Sequence, residues 1–118
     1  MDNESEQSDS ANSVRIAGRV SGTPLERQLP SGDRVVSFRV VVPRRAAVRR
    51  RTRRSVDTVE CSAWSVRMRR AALRLGDGAD VAVTGELRRS FRRTGAGVTS
   101  WVTVDVDQID RVPPEASG

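Results

Sequence analysis

Arginine is the residue in this chain best equipped to do chemistry, and it is concentrated. Seven of the eleven residues in 44–54 are arginine: Arg44, Arg45, Arg49, Arg50, Arg51, Arg53 and Arg54. Guanidinium forks grip phosphate oxygens with parallel charge-assisted hydrogen bonds and also stack on flat rings. The run lies between two valine-rich segments, so it is expected to form a loop held at both ends by sheet. A basic loop of that kind presents a shaped surface to a polyanion, with nucleic acid the first candidate. A second cluster, Arg88, Arg89, Arg92 and Arg93, leads into the turn signal Thr94-Gly95-Ala96-Gly97.

Catalysis has less to work with. The chain has no histidine, which removes the commonest general base and metal ligand. Asp57 and Glu60 fall on opposite faces of an alternating strand. Asp105 and Asp107 share a face, but no third carboxylate stands beside them to build a two-metal site. Ser37 and Cys61 have no histidine to activate them. Cys61 is the only cysteine, so no internal disulfide is expected, and it suits a small core position. There is no glycine-rich phosphate loop and no zinc-ligand spacing. The expectation is a protein without catalytic activity and without a cofactor.

These side chains must be held by one domain of the 118-residue chain. Residues 1–11 carry four acids and almost nothing apolar, and are expected to be a disordered acidic tail. Residues 113–118 are expected to be disordered as well, leaving residues 12–112 as the folded domain. That segment holds 21 arginines against 10 acids, a net +11, compared with +6 for the whole chain. The acidic start lacks the apolar run of a secretory signal. The longest apolar stretch, residues 35–42, is too short to span a bilayer. A cytoplasmic protein with no membrane partner is the expectation.

Eighteen valines against five leucines favour sheet. Residues 14–20 alternate, with Val14, Ile16 and Val20 on one face and Arg15 and Arg19 on the other. Ser21-Gly22-Thr23-Pro24 predicts a break, followed by a short return strand at residues 25–29 and a turn at Pro30-Ser31-Gly32-Asp33. Residues 35–42 put Val36, Phe38, Val40 and Val42 on one face, and Ser37 and Arg39 on the other. Residues 56–64 put Val59, Cys61 and Ala63 inward, with Thr58, Glu60, Ser62 and Trp64 outward. The only helix expected is residues 65–75, with an apolar stripe of Met68, Ala71, Ala72 and Leu75, stopped by Gly76-Asp77-Gly78. A fourth strand from Asp80 to about Arg93 turns Val81, Val83 and Leu87 inward, and Gly85 marks a bend or bulge. A fifth, residues 101–109, turns Val102, Val104 and Val106 inward, and Trp101, Thr103, Asp105 and Asp107 outward. This order predicts an all-β fold: a five-stranded Greek-key barrel of the OB type, with one short helix between strands three and four.

Four segments resemble bacterial single-stranded DNA-binding proteins in the right order. They are Val14-Arg15-Ile16-Ala17-Gly18-Arg19-Val20, Pro30-Ser31-Gly32-Asp33-Arg34-Val35-Val36-Ser37-Phe38-Arg39-Val40, Val56-Asp57-Thr58-Val59-Glu60-Cys61-Ser62-Ala63-Trp64, and residues 76–88. The resemblance covers residues 12–112. It implies an OB fold, homo-oligomerisation as a dimer or tetramer, and DNA wrapped over strand surfaces and loops in replication, repair or recombination. Trp64 falls on one of that family's aromatic stacking positions. Thr58 and Arg92 stand where relatives often carry tryptophan, and the arginine loop lacks the usual aromatic. The chain ends Glu115-Ala116-Ser117-Gly118 rather than in the family's acidic, phenylalanine-ending tail, which fits a short accessory paralogue.

The residues expected to bind single-stranded DNA are Trp64, as a platform for one base, and Arg15, Arg19 and Arg39 on outward strand faces. The loop arginines Arg44, Arg45, Arg49, Arg50, Arg51, Arg53 and Arg54 join them, with Arg88, Arg92 and Arg93 before the last turn. Each has a plainer reading. Trp64 at a strand end could pack under the helix. The outward arginines could pair with Glu60, Asp105 or Asp107. Trp101, beside two aspartates, fits a subunit contact as well as a DNA contact. Phe91 alternates with Leu87 and is expected in the core or packed within the hairpin, unless a bulge flips it. The alternatives for the whole domain are an RNA-binding module, which would show preference for oligo-U over oligo-dT, and a protein-interaction module docking an acidic partner. The acidic tail is itself a competitor for the basic groove. Deleting residues 1–11 should raise affinity for single-stranded DNA at matched salt beyond the general effect of charge; unchanged affinity disposes of that competition.

Overall fold

The computed structural model describes residues 10–45 and 55–112. The loop arginines Arg49, Arg50, Arg51, Arg53 and Arg54 and the terminal residues 1–9 and 113–118 lie outside the described residues. Five strands, β1 (Val14–Gln28), β2 (Arg34–Pro43), β3 (Val56–Ala63), β4 (Asp80–Thr94) and β5 (Gly97–Arg111), close a barrel in the order β1-β2-β3-β5-β4. Helix α1 (Val66–Leu73) connects β3 to β4. All neighbours are antiparallel except β3 and β5. This is the OB arrangement. Among the described residues no helix is long and apolar enough to cross a membrane.

The inward faces follow the alternation. Val36, Val40, Ala63, Ala72, Val83 and Val104 are fully excluded from solvent, with Val20, Phe38, Cys61, Val81 and Val106 beside them. Met68, Ala72 and Leu75 seal one end of this core from α1 and the turn after it. The helix starts where Ser65 caps it: the Ser65 hydroxyl accepts from the Met68 amide at 3.1 Å, which satisfies one of the free amides of the first turn.

The expected break after Val20 is not a break. Residues 25–29 do not make a separate return strand; β1 runs through them to Gln28 as one bent strand. Its first half pairs with β4 from Val14↔Gly85 to Arg19↔Asp80. Its second half pairs with β2, with a register shift between Ser21 and Leu25. Gly22 at φ 84° allows the bulge, and the Asp77 carboxylate accepts from the Gly22 amide at 2.8 Å. The Gly/Pro cluster marks a bulge here, because both strand halves still have partners to pair with.

Gly85 does bend β4. The register with β5 shifts between Thr84 and Gly85, and a Cβ on Gly85 would lie 2.0 Å from the Asp105 carbonyl oxygen. Beyond Arg88 and Thr103, the last rung that β5 shares with β3, the two strands leave the barrel as a two-stranded hairpin. The last rung to β1 is Val14↔Gly85. The Asn12 side chain then imitates one more: its amide donates to the Leu87 carbonyl and its oxygen accepts from the Leu87 amide, both at 2.9 Å. Leu87 and Val102, expected inward, are therefore exposed, and Phe91 is 65% exposed rather than packed in the core. Alternation places them correctly on one face, but past Gly85 no other strand among the described residues covers that face.

Gly85→Ala forces the added methyl into the β5 backbone. Overpacking of this kind costs about 1–3 kcal/mol, and the denaturant midpoint should fall accordingly. An unchanged midpoint would show that the two strands separate there without cost.

Candidate nucleic-acid interface

One outer wall of the barrel is built from β2, β3, β5 and the part of β4 beyond Gly85. Strand register lines up a row across it: Arg39 opposite Glu60, Glu60 beside Thr103, and Thr103 opposite Arg88. Three strand spacings separate the ends of this row, ~14 Å along the sheet. A neighbouring row runs Ser37, Ser62, Asp105 and Glu86. Both rows face outward because Phe38, Cys61 and Val104, one residue away in each strand, face the core.

Asp105 organises this wall. One carboxylate oxygen accepts from Trp64 Nε1 at 3.2 Å, and the other accepts from Arg88 Nε. The Asp105 side chain is mostly covered, and that of Arg88 is mostly exposed. Trp64 stands at the junction of β3 and α1, where its carbonyl accepts from Arg69 Nη1. Its ring remains 40% exposed, so it is not sealed under the helix. Trp101, opposite Ser90, lies on the same hairpin face as Arg88 and Arg92. It is also 40% exposed.

The arginines fall into groups that sequence alone could not separate. Arg39 donates to Glu60 at 2.8 Å, Arg44 to Asp57 at 2.6 Å and Arg19 to Asp80 at 3.3 Å. The pairing of Arg39 with Glu60 was the plainer reading for that residue. The hydrogen bond to Asp57 holds the Arg44 guanidinium above its ordinary pKa. Exposed pairs of this kind add little stability. Arg15, Arg45, Arg92 and Arg93 have no acidic partner among the described residues. Arg15 and Arg19 lie on β1, which β2 on one side, and β4 and β5 on the other, separate from β3. Arg93 shares the other hairpin face with Leu87, Phe91, Val98 and Val102. The structure therefore brings Arg39, Arg88, Arg92 and Trp64 onto one wall, with Arg45 where β2 leads into the arginine run, whereas Arg44 pairs with Asp57 on the opposite face, that of Val42. It does not bring Arg15 or Arg93 there, and Arg19, opposite Val41, stands on β1 beside the wall's β2 margin.

Asp105 escaped the sequence reading as an organiser. Alternation put it outward, but its role depends on partners 41 and 17 residues away. The parallel pairing of β3 with β5 in an OB order is the signal that could have found it. Cys61 is buried, and burial, reinforced by the Glu60 charge, pushes its thiol up to about 12, so it is a core residue and not a nucleophile. Among the described residues no group of three histidine, cysteine or acidic side chains could hold a metal ion.

A closed five-stranded barrel with an aromatic and cationic outer wall belongs to the class of OB nucleic-acid binders. Residues 11–112 match the family model of the single-strand binding protein family. The chain belongs to that family, and membership implies single-stranded DNA as its ligand. No curated protein matches the chain closely enough to count as a relative.

Arginines already paired with carboxylates exchange one anion for another on binding phosphate, whereas unpaired ones release counterions. Arg92→Ala should therefore flatten the log–log salt dependence of binding by about 0.7. Arg39→Ala should flatten it less, as measured by titration across a salt series. Equal changes would show that the Arg39–Glu60 pair does not persist in solution.

Proposed function

We propose that one DNA strand runs along the wall of β2, β3, β5 and outer β4, and that the protein protects or organises single strands without catalysis. Trp64 stacks on one base and Trp101 offers a second ring on the same wall. Arg39, Arg88 and Arg92, joined by Arg45, follow the phosphates. The loop arginines Arg49, Arg50, Arg51, Arg53 and Arg54 extend that track as an electrostatic arm. Arg15, Arg19 and Arg93 reach DNA when the strand wraps onto neighbouring walls, which suits a homo-oligomer. The setting is the cytoplasm, in replication, repair or recombination. The observation that carries this reading is an exposed Trp64 held in place by the carboxylate that also holds Arg88.

With few aromatics, affinity rests mainly on charge, and sequence preference along most of the track is weak. Oligo-dT should quench the intrinsic tryptophan fluorescence at low salt. If about five phosphates are neutralised per subunit, the log–log salt slope should be near −3 to −4. Trp64→Ala should weaken binding by about 1–3 kcal/mol, with the slope little changed. Absence of quenching at low salt, or binding indifferent to salt, overturns the proposal.

A further inference from the structure

The register shift in β1 has a second consequence. Gly22, Thr23 and Pro24 span a stretch that β2 covers with Phe38 alone, since Ser21 pairs with Arg39 and Leu25 with Ser37. The bulge opens a groove of about 230 Å³ beside the wall, lined on its near side by Ser21, Thr23 and Leu25 and on its far side by Arg39 and Glu60. Leu25 is 67% exposed, an apolar surface with nothing packed on it. Glu60 is the anomaly. A half-exposed carboxylate on a wall that follows phosphates repels the backbone of the ligand. What it can accept is an N–H donor, and a nucleobase edge supplies those.

The pair is arranged to read such an edge. Arg39 reaches Glu60 only through Nε, to Oε2. Its two Nη groups and Glu60 Oε1 have no partner among the described residues. Donors and acceptors therefore stand side by side at the groove. The Watson–Crick edge of guanine presents an acceptor, O6, next to two donors, N1–H and N2–H. Guanine alone offers a carboxylate two adjacent donors. Cytosine and adenine each offer one exocyclic amine, and thymine offers one N–H between two carbonyls. We infer that the groove between the β1 bulge and the Arg39–Glu60 pair is a guanine subsite. Glu60 accepts from N1 and N2, Arg39 donates to O6, and Leu25 covers the face of the base. The inference rests on the single-strand reading above and adds a point of base preference to it.

The test compares four oligonucleotides of equal length: thymine alone, and thymine with isolated guanines, cytosines or adenines spaced so that guanines cannot associate. The guanine-containing strand should bind about tenfold tighter than thymine alone, the scale of one bidentate base contact. Glu60→Gln should abolish that preference while binding the thymine strand at least as tightly as the parent, since a negative charge has left the wall. Leu25→Ser should reduce the preference and leave Glu60 in place. Equal binding of all four strands, a preference for cytosine or adenine, or a guanine preference that survives Glu60→Gln each overturns the subsite and leaves single-strand binding intact. Failure of every strand to bind overturns both.

Discussion

Closure of the barrel rests on β1 serving two partners at once, and that requires backbones to pass where no side chain fits. A Cβ on Gly18 would lie 2.2 Å from the Val41 carbonyl oxygen, close to the point where β1 passes from β4 to β2. Gly85 meets β5 in the same way on the other side. Any larger residue at either place would push strands apart and expose the valine core that contributes most of the stabilisation. The two glycines also set the shape of the candidate interface. One lets β1 pass from β4 to β2, and the other bends β4 where its pairing with β1 ends.

The wall that results is not a uniform field of positive charge. Arg39 and Arg88 each face a carboxylate. Such pairs contribute little to stability where solvent reaches them, so their value lies in position. Asp105 orients an indole and a guanidinium together, and an oriented side chain loses less entropy on binding than a free one. The cost is attraction to phosphate: a paired arginine must give up its carboxylate or share it. Arg45 and Arg92, at the wall's margins, have no acidic partner among the described residues, so a phosphate there would displace no carboxylate.

Much of this architecture was legible in the chain. Period-two alternation identified the buried faces of β2 and β3, of the first half of β4 and of β5 at Val104 and Val106, because each lies against a filled core. Gly85 announced its bend, and Trp64 its exposure, since a large ring on a polar strand face has nowhere to hide. Other features were not legible, for two reasons. Alternation assigns residues to faces but not coverage to those faces, so Leu87 and Val102, expected inside, and Phe91, expected in the core or packed within the hairpin, stand exposed. Gly22 and Pro24 carry the same chemistry in a turn as in a bulge, and only the pairing of both halves of β1 distinguishes the two. The roles of Asp105 and Glu60 depend on contacts between strands distant in sequence, which no local pattern encodes.

The hairpin shows how one element can serve two surfaces. Its rungs alternate, so Arg88, Ser90, Trp101 and Arg92 face one way, and Leu87, Phe91, Val98 and Val102 face the other. The first set continues the candidate interface outward from Asp105. The second is apolar, interrupted by Arg89 and Arg93. A strand of DNA held on the first face leaves the second untouched, so affinity for the ligand and the fate of the apolar face can vary separately. That separation follows from the bend at Gly85. Past that bend β1 no longer pairs with β4, so Leu87 lies outside the core while Arg88 still meets Asp105.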